Sequence, residues 1–301
     1  MKITKDYLSG LSHEQKDEII LRQAEEIETL KTQVAYLMNV IEELKKEIAE
    51  LKSGKTKKTS QNSSVTDGIR ASDIVESDET SCRVKAKKWW EWVFHNAQYC
   101  LHVIRNSRGA DVPREILGEH RPTYWASDLY SAQKGHADKW QICLAHQLRD
   151  CQFAIDNGDK GFSWRMQKLF FRAIQLGKSR KNIKESSRKA HKRKLLKELD
   201  WILEKSNPQT KEGKNLKRRY TQHRDSLFTF FDDVRMEPTN NGSERKLRPG
   251  VIFRKVTNCF RSSWGAELYA GVRSVVDTGK LQGKSAMQSI QDVIIPTTSH
   301  A

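Results

Sequence analysis

The stretch Met236–Lys255, MEPTNNGSERKLRPGVIFRK, sets Glu244 between paired asparagines and a run of basic residues. Asparagine and serine just ahead of an acid mark a helix start, with Glu244 in the first turn. Two readings follow. Glu244 is either the acid of a capped helix with a solvated basic face, or one ligand of a metal site that works on phosphodiesters. The rest of the chain has to supply the partners that decide between them.

Composition points to a polyanion. The 301 residues carry a formal net charge of +16, with 31% charged and 37% apolar residues. Nucleic acid is the partner such a balance suits. The charge is concentrated: between Gly161 and Arg224 there are 20 Lys or Arg against five acids, so nearly all the excess lies there. The part Lys178–Lys197 reads either as a DNA backbone track or as a solvated helix face. The five cysteines (Cys82, Cys100, Cys143, Cys151, Cys259) form no CxxC pair, which predicts neither a disulfide framework nor a zinc module and suits a reducing compartment. No apolar run is long enough to span a bilayer, and MKITKDYLSGLSHEQ lacks a signal-peptide core. The expectation is a soluble, cytoplasmic protein with no membrane partner.

Five regions are expected along the chain. Residues 12–52 read as a coiled-coil dimerisation helix. Ile20, Ile27, Val34, Ile41 and Ile48 recur every seven residues, and Leu30, Leu37, Leu44 and Leu51 follow the last four by three. β-Branched residues at a and leucine at d favour a parallel homodimer, and Ser12 offers a cap. Residues 53–68 read as a flexible linker, being almost free of large apolar side chains. Residues 69–160 form the first part of an α/β core in the order β-β-β-α-β-α. Its strands are Ile74–Val84, KKWWEWVFHN, QYCLHVIRNS and PTYWASDLYSA, with helices in ADVPREILGEH and KWQICLAHQLRDCQFAI. Trp89, Trp90 and Trp92 read as core and sheet surface, or as base-stacking groups. Residues 161–235 form a basic helical insertion, and 236–301 return to the core with Glu244 and terminal helices.

Phosphodiester transfer needs carboxylates that hold two divalent ions about 4 Å apart, and hard oxygen ligands suit magnesium or manganese. Asp78 lies within the first strand, Asp128 at the end of the fourth, and Glu244 on a following helix. Acids so placed can converge, although spacing alone does not single out this triple among 38 acids.

The motifs decide it. TNNGSERKLRPGVIFRK, followed by SSWGAELYAGVRSVVDTGKLQG, resembles the C-terminal catalytic signature of the insertion sequence 66 family of bacterial transposases. SDETSCRVKAKKWWEWVF is similar to that family's first-aspartate strand, YWASDLYSAQ to its second, and CLAHQLRDCQF to the helix that follows. The resemblance implies an RNase H-like mixed sheet with a basic helical insertion, a DDE site of Asp78, Asp128 and Glu244, and two Mg2+ or Mn2+ ions. It implies DNA cleavage and strand transfer of an insertion sequence, with transposon ends and target DNA as partners in a bacterial, nucleoid-associated setting. Asn240, Asn241, Arg245, Arg248, Arg254 and Lys255 would meet DNA, other proteins of the same element are possible partners, and His146 would neighbour the scissile phosphate or pack inside.

Members of that family usually carry a longer, cysteine-containing segment ahead of the first aspartate, thought to recognise transposon ends. Here Lys52–Ser77 alone separates the heptads from Asp78, with no cysteine or histidine. An internally deleted copy is therefore the alternative: a catalytically impaired, dimerising DNA-binding protein.

Overall fold

The computed structural model describes residues 10–52 and 60–294, and their side chains except at 36–37, 40, 43–44, 46–52 and 60–63. The chain divides into two units, 1–57 and 58–301.

Among the described residues the first unit contains one helix, α1 (His13–Lys52). Ser12 starts it as expected. Its Oγ accepts the Gln15 N–H at 3.2 Å, and Gln15 Oε1 accepts the Ser12 N–H at 3.0 Å, a reciprocal box that satisfies two donors at once. Ile20, Ile27, Leu30, Val34 and Ile41 are 49% to 62% exposed, so the described part of the heptad stripe meets no core. The side chains of Leu37, Leu44, Ile48 and Leu51 lie outside the described residues.

The second unit opens with a correction. Ser60–Arg70, within the expected linker and just past its end, forms helix α2. Val65 and Ile69, four residues apart and hence on one helical face, are buried at 4% and 0% exposure. Two apolar residues among serines and threonines leave too little periodicity to read. The remainder of that linker, 53–59, lies outside the described residues.

Five strands follow: β1 (Ile74–Val84), β2 (Lys87–His95), β3 (Cys100–Arg105), β4 (Tyr124–Ser127) and β5 (Lys139–Ile142), with the short helix α3 (Asp111–Leu117) before β4. Their order is β3-β2-β1-β4-β5. The first three are antiparallel, while β4 and β5 run parallel to β1. The fold is thus mixed α/β as expected, but β5 was assigned to the next helix. Its four residues, Lys-Trp-Gln-Ile, have no alternation of their own, and long-range pairing with β4 makes them a strand.

Alternation along the strands divides two cores. Val75, Trp92, Phe94, Leu101, Val103 and Trp125 pack under Val65, Ile69, Val112 and Ile116 of α2 and α3. Trp92 is therefore core, and Trp90 is half-buried beneath Lys88 and Arg108. The other face receives α8 (Asn241–Thr257) and α9 (Ser263–Leu281), through Leu247 against Val93 and Cys100, and through Phe260, Ala266 and Ala270 against Cys82, Val84 and Ile104. Between β5 and α8 run α4 (Leu144–Asp156), α5 (Phe162–Lys178), α6 (Glu185–Lys205) and α7 (Lys211–Gln222), and α10 (Ala286–Ile294) follows α9. The insertion is helical, and its Phe170, Leu199, Tyr220 and Phe228 share one apolar cluster with Ile74, Ala126 and Ile142 of the sheet and Leu144 of α4.

Helix α9 docks on β3 through polar groups. Ser274 Oγ takes the His102 N–H at 2.8 Å, and Thr278 Oγ1 takes the Cys100 N–H at 3.0 Å. His102, buried, lies between Glu91 (Nδ1, 3.1 Å) and Asp277 (Nε2, 3.0 Å), and Arg273 holds the same Asp277 carboxylate at 2.6 Å. Burial works against charge on His102, but the Cys100 sulfur and the Asp277 and Glu91 carboxylates raise its pKa well above the ordinary value. The stabilisation this gives is complete below the unfolded imidazole pKa and is lost as pH rises through the folded value. His102→Ala strands the buried Glu91 carboxylate and leaves Asp277 to Arg273, and chemical denaturation at pH 7 should register a loss of about 3 kcal/mol.

Candidate active site

Strand β1 outruns β4. Their register ends at Glu76↔Ala126, so beyond Glu76 this edge of β1 has no strand beside it. Asp78 sits just past that point, and Asp128 is the first residue after β4. Carboxylate oxygens of Asp78, Asp128 and Glu79 all lie within 4.8 Å of one another. Asp78 and Asp128 are thus brought together as the sequence motifs implied.

Glu79 was not expected. It shares a sheet face with its cross-strand partner Trp92, whereas Asp78 lies opposite Val93 on the other face. Only the missing continuation of β4 lets its carboxylate join the cluster. Arg108 Nε holds it at 2.9 Å and Gln133 Nε2 at 2.7 Å, while the guanidinium lies 4.6 Å from the Trp90 ring centroid and 3.8 Å from that of Tyr130. The only sequence signal for Glu79 was adjacency to Asp78, and alternation argued against it.

Crowded, half-dry carboxylates resist ionisation. Burial, then the charges of Asp128 and Glu79, push the Asp78 pKa up to about 8. Burial and Asp128 push Glu79 up to about 7, and burial raises Asp128 as well. Two residues before Asp78, desolvation and the Glu237 charge also lift half-buried Glu76 to about 7.

Glu244 sits in the first turn of α8, as expected, but outside the three-carboxylate cluster. Arg149 Nη2 reaches it at 3.2 Å and His146 Nε2 at 3.6 Å. Its charge is still felt at Asp78, whose pKa it helps to raise. His146 borders both sides of the site: burial and Arg149 lower its pKa, against the pull of Asp128 and Glu244.

Buried Asn240 joins these parts. Its Nδ2 donates to Ser77 O at 2.8 Å, its N–H to Cys143 Sγ at 3.1 Å, and its Oδ1 accepts from Ser243 Oγ at 2.6 Å. The expected DNA contact at Asn240 is therefore corrected, since a side chain 1% exposed with its polar groups taken cannot meet a phosphate. Arg254 is in part drawn inward: it is half-buried, and its Nη1 donates to the backbone oxygen and hydroxyl of Ser81. Asn241, Arg245, Arg248 and Lys255 are exposed. Cys143 is a buried free cysteine whose sulfur accepts the Asn240 N–H.

Among the described residues a second group, Cys100, His102 and Asp277, is close enough to hold a metal. Both imidazole nitrogens already face carboxylates and Arg273 occupies Asp277, so this group reads as an internal ion network.

The chain matches the family model described as Transposase IS66 family over residues 59–268, more than half its length, and it belongs to that family. A search of curated proteins gave no match.

Two outcomes are expected. Acids with raised folded pKa values destabilise the protein progressively as pH rises from the unfolded value through the folded one, here from about 4 to about 8 for Asp78. In metal-free buffer Asp78→Asn should melt higher than the wild type at pH 8, by roughly 4 °C or more, with the gap narrowing towards pH 4. Asn240→Ala should lose about 2 kcal/mol or more in urea denaturation, because the Ser77 carbonyl and Ser243 hydroxyl are left buried without that partner.

Proposed function

We propose that this member of the IS66 transposase family is a DDE-type transposase built on an RNase H-like core, cutting DNA and joining the freed end to a target. The observation that carries the reading is the approach of Asp78 and Asp128 to within 4.8 Å, with the Glu244 charge acting on Asp78. The strand order, with three antiparallel strands followed by two parallel to the first, supports the core assignment. The donor set also fits: carboxylate oxygens alone, as Mg2+ or Mn2+ prefers. Asp78 and Asp128 would share one ion and Glu244 would complete the site of a second. Ions bound there would supply charge stabilisation to the pentavalent phosphate and activate the attacking oxygen.

The chain's own residues have three tasks in this scheme. The acids must shed protons before they take up cations, which sets a lower pH limit on activity. Glu244 must exchange Arg149 for the metal side of the cleft. His146, held neutral by burial and Arg149, gives the site a proton acceptor beside Glu244 when water attacks each transposon end. The freed 3′-hydroxyl then attacks target DNA in line.

DNA would lie over the exposed Asn241, Arg245, Arg248 and Lys255 and along the basic insertion. A cleft of about 1000 Å³ lies at the start of α8, lined by Arg235, Arg245, Lys246, Arg273 and Lys280 but also by Asp73, Glu76, Glu237 and Asp277. The exposed heptad residues of α1 would pair with a second copy in a parallel coiled coil. Among the described residues no helix is long and apolar enough to cross a membrane.

A second reading, an idle dimerising DNA-binder, is favoured by Glu244 lying against Arg149 outside the acid cluster and by the brief span between the heptads and Asp78. Calorimetry of Mg2+ and Mn2+ binding on wild type, Asp128→Ala and Glu244→Ala separates the two, paired with cleavage of duplex DNA. The transposase reading expects both variants to lose metal affinity and cleavage to fall roughly 100-fold or more. Equal metal binding in all three with no cleavage establishes the idle binder. Ile27→Asp combined with Val34→Asp should turn the dimer into a monomer in sedimentation equilibrium.

A further inference from the structure

Immediately beyond Asp128 lies a cleft of about 540 Å³ that the reading above does not use. The loop after β4 and helix α7 of the insertion form it. Tyr130, Trp140 and His223 supply aromatic walls, and Lys134, Arg218 and Arg219 supply positive charge; no carboxylate lines it. Trp140 and His223 meet edge-on, with ring centroids 5.5 Å apart. Arg219 is fixed by Asp150. Arg218 is exposed, with Asn215 at 3.5 Å as its hydrogen-bond partner, and the Lys134 side chain is exposed with no ion-pair or hydrogen-bond partner among the described residues.

The cleft is wired to the acid. The Tyr130 N–H donates to Asp128 Oδ1 at 3.2 Å. Trp140 Nε1 donates to Ser127 Oγ at 2.9 Å, and that hydroxyl donates to the Asp128 carbonyl at 2.9 Å. Whatever occupies the cleft therefore lies directly beside a proposed metal-binding acid.

Aromatic walls with cations and no acids suit a nucleotide: the rings take a base and the cations its phosphate. A base inside a duplex has both faces covered by its neighbours, so these walls gain a stacking partner only from a base that is unpaired. The volume is in the range of small-ligand pockets and accommodates about one nucleotide. We infer that this cleft binds an unpaired nucleotide of the DNA strand next to the scissile phosphodiester, stacked between Tyr130 and Trp140 and held by Lys134 and Arg218. The inference rests on the transposase reading and adds to it a single-stranded subsite at the seam of core and insertion.

The test uses the full chain and two fluorescein-labelled probes, an oligothymidine of about ten nucleotides and a mixed-sequence duplex of about twenty base pairs. Anisotropy is followed over a salt series. For Tyr130→Ala the single-strand affinity should fall about 10-fold with an unchanged salt slope, and duplex affinity should stay within about twofold. The double variant Lys134→Ala with Arg218→Ala changes only exposed side chains and so is safe against misfolding. It should weaken single-strand binding and flatten the salt slope by about one to two. Tyr130→Ala and the double variant both binding oligothymidine as the wild type does would overturn the cleft, as would equal losses on both probes. A wild type that binds neither probe would sink the transposase reading itself, and the cleft with it.

Discussion

Asn240 is the residue on which the arrangement of the site depends. Its buried side-chain amide and backbone N–H together hold Ser77, Cys143 and Ser243. The first is next to Asp78, the second opens the helix that carries His146, and the third precedes Glu244. Three elements far apart in the chain are thereby indexed to one another within a hydrogen bond's tolerance. Carboxylates that repel one another have no attraction of their own to bring them together, so the scaffold must impose their proximity. Asn240 does this while itself staying buried.

The same logic explains a contrast on one sheet. At His102, two acids are spaced by an imidazole and a guanidinium, and burial is tolerable because charge is matched. At Asp78 the acids outnumber their cations, and their pKa values climb. Arg108 and Gln133 relieve Glu79 alone. An electrostatic deficit concentrated where a cation would be welcome is how binding sites differ from structural ion networks.

Much of this was legible before any coordinates. Strands β1 to β4 and α3 announced themselves by alternation and turn chemistry, and the family motifs brought Asp78, Asp128 and Glu244 forward together. What escaped had physical causes. Strand β5 is too short to carry a period, and α2 shows only Val65 and Ile69 to the core. Glu79 sits on what alternation calls the wrong face, and nothing local reveals that β4 stops early enough for it to turn the corner. Asn240 and Arg254 read as DNA contacts because residue type does not tell whether an amide or a guanidinium meets a phosphate or a backbone carbonyl. Exposure decides that, and exposure belongs to the tertiary fold.

The early end of β4 has one more consequence. A strand running on alone presents bare peptide groups that invite another chain to add itself as a strand. Along β1 several of these groups are already taken. Asp78 Oδ1 accepts the Glu79 N–H, Asn240 covers the Ser77 oxygen, Arg254 covers that of Ser81, and the Phe260 N–H closes on Arg83 O. Ser274 and Thr278 do the same for the outer rim of β3. Helices α8 and α9 thus stand in for the strands this sheet lacks, with side chains and one loop amide in place of a ladder. Contacts of this kind oppose the addition of a further strand at these edges.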